Sequence, residues 1–322
     1  MSLVIAKIID GRIIMESDSQ LSTSNSFKQN PISTVLKVII ISPRVVVSFA
    51  GDVKSAHEAL GEVFSMLRKN PETSPEDISS ALLKVHLVHV HDGGSVDFIL
   101  AISDMNNPKL YKTSMGETNL EANSAWIGDY DGFELFQNLY NTSPSDELDY
   151  PAKCRKFTKA FNGVISAREI PSVAGFNISV SSSGETGLFK YLISGEIGVP
   201  VQTIPAGTES RVAFGDAAMG GYSASIIASN ADDTPAMAIY FEQLKFGLLF
   251  IPSYSLDAIR INELSGLDFI QEVCQEYGIE LTGMLVDTEN NQVANIGNSK
   301  IRIDYNITSD APVNARIMIQ KT

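Results

Sequence analysis

The chain has 322 residues, with 38 Asp and Glu against 24 Lys and Arg, and a formal net charge of −14. That balance argues against nucleic acid or an anionic membrane as the main partner, because phosphate surfaces attract cations. A hydrophobic content of 44% and a mean hydropathy of +0.05 supply enough apolar surface for a real core and exclude a disordered chain.

The first eighteen residues are the most informative. Leu3 to Ile9 and Arg12 to Ser17 are apolar runs on either side of Asp10-Gly11, the dipeptide of a tight hairpin turn. Such a hairpin returns Asp18 to the side of Ser2. A residue as small as Ser2 favours removal of Met1, and a free Ser2 carries a hydroxyl nucleophile and an α-amine base together. Val35 to Ile41 predicts a strand interrupted by Lys37, and Val45 to Gly51 predicts its partner. A lysine in a buried strand needs a carboxylate or loses its charge.

Asp52 is placed to cap a helix running to about Lys69, with Ala56, Leu60, Val63, Phe64 and Leu67 at helical spacing. Ser74-Pro75-Glu76-Asp77 is a second helix start, and Ile78, Ala81, Leu82 and Val85 form its apolar face. Strands are predicted at Val96 to Ser103, Lys109 to Thr113 and Ala125 to Gly128. Helices follow at Gly132 to Tyr140 and Pro151 to Ile165, then strands at Phe176 to Ser182 and Leu188 to Ser194. That order suits an αββα sandwich.

From about Gly195 the pattern turns to strands separated by Gly and Asp: Arg211 to Phe214, Tyr222 to Ser229, Ala236 to Phe241 and Leu248 to Ile251. A helix is predicted at Leu267 to Tyr277, then strands at Leu281 to Val286 and Lys300 to Tyr305. Residues 196–322 therefore read as a β-rich C-terminal domain or extension, more acidic than what precedes it: 16 acidic against 7 basic residues.

Other patterns carry less. His86, His89 and His91 have a spacing that suits a metal, but no fourth ligand is evident, and packing or surface histidines are the commoner case. Gly215 to Gly221 lacks the spacing of a phosphate-binding loop and reads as a turn. Cys154 and Cys274 lack metal or disulfide spacing and read as free thiols. Lys7 and Asp10 break the N-terminal apolar run, and no stretch reaches the length of a membrane span, so a cytoplasmic location is expected.

Taken in order, Ser2, Asp18, Lys37 and the segment Val47-Ser48-Phe49-Ala50-Gly51 resemble the proteasome β-type subunits and their simpler bacterial relatives, within the N-terminal nucleophile hydrolases. Ile127-Gly128-Asp129-Tyr130 resembles the family's Ile-Gly-Ser-Gly stretch, and Glu169-Ile170-Pro171-Ser172 its Asp-x-x-Ser. The departures are Ser2 for Thr, Ser48 for Gly, Asp129 for Ser and Glu169 for Asp. The resemblance covers residues 2 to 195.

It implies a four-layer αββα sandwich for residues 1–195 and a catalytic set of Ser2, Asp18, Lys37, Ser48, Asp129, Glu169 and Ser172, with no cofactor and no metal. The implied activity is hydrolysis of peptide or other amide bonds, in a homo-oligomeric ring or spiral, with an ATPase unfoldase as the implied supplier of protein substrates. A catalytically inactive assembly or interaction subunit of the same fold is the alternative. A carboxylate at Asp129 beside the Ser2 amine would hold that amine as an ammonium and weaken it as a base.

Overall fold

The computed structural model of the chain describes residues 2–21, 34–91, 95–104, 107–142, 149–167, 169–170, 172–197, 223–231, 235–242, 244–262, 264–287, 292–297 and 300–306. The chain divides into two compact units, Met1–Lys190 and Tyr191–Thr322.

In chain order the first unit holds β1 (Leu3–Ile9), β2 (Arg12–Asp18), β3 (Val38–Ser42), β4 (Val45–Gly51), α1 (Val53–Lys69) and α2 (Pro75–His91). Then come β5 (Val96–Ile102), β6 (Lys109–Ser114), β7 (Glu117–Glu121), β8 (Ser124–Gly128), α3 (Tyr130–Asn141), α4 (Tyr150–Ser166), β9 (Asn177–Ser182) and β10 (Phe189–Tyr191). The result is a mixed α+β sandwich. One antiparallel sheet has the order β10-β9-β2-β1-β8 and another β3-β4-β5-β6-β7. Helices α3 and α4 pack on β1, and α4 also on β2 and β9, while α1 and α2 pack on the second sheet and β4 meets β1 and β8.

The β1–β2 hairpin forms as its sequence dictates. Ile9 pairs with Arg12 across a two-residue loop in which Asp10 has φ 49° and Gly11 φ 74°, the conformation whose twist matches the strands. Side chains alternate along β1: Leu3, Ile5 and Ile9 enter a core with Phe136, Phe157, Phe161 and Val164 from α3 and α4. Val4 and Ala6, on the other face, are buried as well, which explains the nearly unbroken apolar run.

The helix signals operate where the sequence puts them. Asp52 accepts from the Ser55 amide at 2.8 Å to cap α1, and Ser74 accepts from the Asp77 amide at 3.1 Å before α2. His86 is a packing residue: Nδ1 lies 2.7 Å from the Val96 carbonyl, and Nε2 accepts from the Gly116 amide at 2.8 Å. Both ring nitrogens are engaged, so His86 is closed to a metal.

The second unit holds β11 (Ser194–Ile197), β12 (Ser223–Ser229), β13 (Ala236–Phe241), β14 (Phe246–Ile251), β15 (Ser255–Asn262), α5 (Gly266–Tyr277), β16 (Thr282–Asp287), β17 (Gln292–Gly297) and β18 (Lys300–Asn306). Its strands form one sheet, ordered β15-β14-β13-β12-β16-β17-β18 with β11 also on β12. Phe269 and Val273 of α5 pack on Ile227, Ala238, Tyr240 and Leu249. Met237, Ile239 and Phe241, alternating with that set, are buried too.

Several expectations shift. Strand β3 begins at Val38, so Val35 to Lys37 precede it: the Val35 amide bonds instead to the Ser19 carbonyl at 2.9 Å, pulling this stretch toward the end of β2. The strand predicted at Leu188 to Ser194 is only β10 at Phe189–Tyr191, with β11 starting at Ser194, and the sequence predicts no strand at β7, with its polar Glu-Thr-Asn-Leu-Glu, at β15 or at β17. The strand expected at 211–214 and the turn at 215–221 lie outside the described residues.

Candidate active site

The site is built at the end of the hairpin. Antiparallel pairing sets Val4 opposite Ser17, which brings Asp18 to the start of β1. There one oxygen of the Asp18 carboxylate accepts from the Leu3 amide at 2.9 Å, beside Ser2. The other accepts from the Lys37 ammonium at 2.7 Å and from the Gln20 amide at 3.2 Å. Lys37 also donates to the Gln20 carbonyl at 2.6 Å.

Neither Asp18 nor Lys37 reaches water: their side chains are 0% and 2% exposed. Burial pulls the Lys37 ammonium below the ordinary lysine range, and the Asp18 carboxylate partly offsets that pull. The same burial pushes the Asp18 carboxyl up, against Lys37 and the two backbone amides, which favour its charged form.

Strand β8 holds the other side of Ser2. The Asp129 amide donates to the Ser2 carbonyl at 2.8 Å. A side chain at Gly128 is forbidden: its φ is 100°, and a Cβ there would lie 1.8 Å from the Ser2 carbonyl oxygen and 3.2 Å from the Ala50 Cβ. The ends of β1, β4 and β8 therefore converge at Ser2.

Asp129 is the N-cap of α3. One carboxylate oxygen accepts from the Gly132 amide at 2.9 Å and the other from the Ser172 hydroxyl at 2.5 Å. Both oxygens are thus committed to neutral donors, one at a helix N-terminus where negative charge is favoured. That arrangement supplies a structural reason for an acid at position 129.

Hydrogen bonds join Lys37 to Asp18, Asp18 to the amide of the residue after Ser2, the Asp129 amide to the Ser2 carbonyl, and Ser172 to the Asp129 carboxylate. Ser48 lies opposite Val38, the residue after Lys37, and its hydroxyl faces the Ile99 carbonyl at 3.5 Å. Glu169 is exposed on the turn after α4 and makes none of these contacts. Sequence reading missed Gln20, whose part is played by its backbone and so leaves no side-chain signature. Among the described residues, the buried atoms Ser17 Oγ and Gln20 Oε1 have no hydrogen-bond partner.

Chemically, the arrangement ties a buried lysine ammonium, through the Asp18 carboxylate, to the amide of Leu3, the residue that follows Ser2. Among the described residues there is no group of His, Cys, Asp and Glu able to hold a metal ion, and no helix long and apolar enough to cross a membrane. No protein-family model matches the sequence, and no curated protein sequence matches it.

Proposed function

We propose that this chain is an amide hydrolase of the N-terminal nucleophile type, built on the proteasome β-type αββα sandwich, with Ser2 as the nucleophile once Met1 has been removed. The observation that carries this reading is the double grip of Asp18, on the Leu3 amide at 2.9 Å and on Lys37 at 2.7 Å, which ties a buried cation to the start of the strand that Ser2 leads.

In the proposed reaction the Ser2 amine takes the hydroxyl proton through a water, and Oγ attacks the amide carbonyl. Lys37 lowers the proton affinity of the amine and stabilises alkoxide character through its field. The backbone N–H of Ser48 faces the oxyanion, a role worth about 3 to 4 kcal/mol per donor. The ammonium returns its proton to the leaving amine as the C–N bond breaks. Water then hydrolyses the ester on Ser2, releasing the acid and restoring the hydroxyl. The Asp129 amide holds the Ser2 main chain, Ser172 steadies the Asp129 carboxylate, and Glu169, exposed, acts only as a peripheral charge.

The substrates are peptide or protein amides, and the working form is a homo-oligomeric ring or spiral in the cytoplasm, supplied by an ATPase unfoldase where substrates are folded. A second reading is a silent assembly subunit of the same fold. It is favoured by the burial of Ser2, which is only 7% exposed.

The test is the intact mass of the chain purified from its native cells, before and after treatment with a peptide electrophile that captures N-terminal nucleophiles. Loss of Met1 with one adduct on Ser2 supports the hydrolase. A retained Met1 with no adduct overturns it in favour of the silent subunit.

A further inference from the structure

Two helices carry opposite charge of a single sign each. Helix α4 holds four cations, Lys153, Arg155, Lys156 and Lys159, and no carboxylate within Tyr150–Ser166. Its apolar side, Phe157, Phe161 and Val164, faces the core, while Lys159 is exposed and Arg155 and Lys156 are part-exposed. Crowding of like charge is already felt there. Lys7 and Lys156 share the face of the Tyr140 ring at 5.1 and 4.5 Å, and burial together with Lys156 pulls the Lys7 ammonium below its ordinary range.

Helix α5 is the opposite. It holds Asp268, Glu272 and Glu276, spaced by four, and no cation. Residues four apart share one helical face. That face looks away from the core, because Phe269 and Val273 point into it while Asp268 and Glu276 are exposed and Glu272 is part-exposed.

We propose that the cationic face of α4 on one copy of the chain docks on the acidic face of α5 on a second copy. The inference rests on the self-assembly in the reading above, and it names the surface that such assembly would use. Charge complementarity selects this occupant. In a chain of net charge −14, each acidic helix repels its own kind, and the outer side of α4 gathers Arg155, Lys156 and Lys159, while Lys153 is paired with Asp10 at 2.7 Å. Each copy offers one surface of each kind, so every copy is able to engage a partner through both helices.

The experiment is sedimentation velocity on the full chain across concentration and salt. Three variants accompany it: Lys156→Glu with Lys159→Glu, Glu272→Lys with Glu276→Lys, and all four together. Screening shortens from about 10 Å at 0.1 M salt to about 3 Å at 1 M, so the parent assemblies are expected to fall apart at the higher salt. Each double reversal is expected to weaken association by about tenfold or more, because like charges then face each other.

The decisive arm is rescue. Mixing the two double variants, or combining all four reversals, restores complementary pairs and is expected to restore assembly, which mere misfolding of either variant would not. Assembly that ignores the reversals overturns the α4–α5 contact and leaves self-assembly standing. A monomer at every concentration overturns both. If that monomer binds poly-glutamate, the α4 face belongs to a different acidic partner.

Discussion

Asp18 Oδ2 lies 2.7 Å from Lys37 Nζ, with both side chains sealed from water. The pair joins the end of β2 to the segment entering β3, and it is also the electrostatic centre of the proposed chemistry. Removing one partner strands the other charge in the interior. Asp18→Ala is therefore expected to cost about 3 to 5 kcal/mol in unfolding free energy, measured by urea titration. The double change Asp18→Leu with Lys37→Met, which removes both charges, is expected to recover most of that loss. Amide hydrolysis is expected to vanish in both, so stability and activity separate. A single Asp18→Ala with parental stability would show that the pair is not buried in solution.

How far this site was legible follows from what each residue contributes. The Asp10-Gly11 turn is a local signal, and once it is read, the return of Asp18 to Ser2 is arithmetic along two strands. The need of Lys37 for a carboxylate is likewise readable, because an apolar run leaves a cation few alternatives. Asp129 was read only through a family position. Its cap geometry, with the Gly132 amide at 2.9 Å, depends on where α3 begins, and that is Tyr130 rather than the expected Gly132. Gln20 acts on Lys37 through a carbonyl, which any residue possesses. Strand β7 escaped because it lies at a sheet edge, where a polar sequence is tolerated and no alternation is imposed.

His86 bridges α2 to β5 and to the turn between β6 and β7 by contacting the Val96 carbonyl and accepting from the Gly116 amide. His86→Ala leaves both backbone groups without their partner and opens a cavity in a nearly sealed position. A loss of about 2 to 3 kcal/mol is expected. Amide exchange at Gly116 is the specific check: it should accelerate in the variant well beyond the exchange at amides of the β1–β2 hairpin.

Asp97 lies beside this histidine, 3.6 Å from Nδ1, and its side chain is 30% exposed. Burial holds its carboxyl above the ordinary Asp range, with His86 and Lys112 pulling it back. Between the unfolded value of about 3.9 and that raised value, the native state binds more protons than the unfolded chain, so the contribution of this group to stability falls as pH rises through the window. Asp97→Asn removes the ionisation. The variant is expected to be the more stable at neutral pH, by less than about 1 kcal/mol given partial exposure, and to match the parent at about pH 3. Parallel thermal melts at the two pH values measure the difference.

The two thiols differ in the same physical way. Burial is the main cause pushing the Cys154 thiol up; Glu16 and Asp10 add to it, while Tyr150 and Arg12 oppose it. Cys274 is exposed on α5. Only the thiolate attacks a disulfide reagent, so titration at about pH 8 is expected to show a fast thiol and a slow one. Cys274→Ser should remove the fast phase and Cys154→Ser the slow phase.

Two glycines with positive φ separate backbone strain from steric exclusion. Gly11 has φ 74° and nothing within 4 Å of where a Cβ would sit, so Gly11→Ala carries only the strain of the left-handed conformation, about 1 kcal/mol. At Gly128 the same strain at φ 100° is joined by a Cβ set 1.8 Å from the Ser2 carbonyl oxygen, and no rotamer relieves it because both atoms belong to the backbone frame. Gly128→Ala must therefore push β1 away from β8, breaking the Asp129 to Ser2 hydrogen bond and shifting Ser2 relative to Asp18. Thermal unfolding is expected to show a loss for Gly128→Ala several times that for Gly11→Ala, and labelling of Ser2 by the peptide electrophile is expected to disappear in the first and persist in the second. Equal losses in the two variants would mean that the close approach of β8 to Ser2 does not hold in solution.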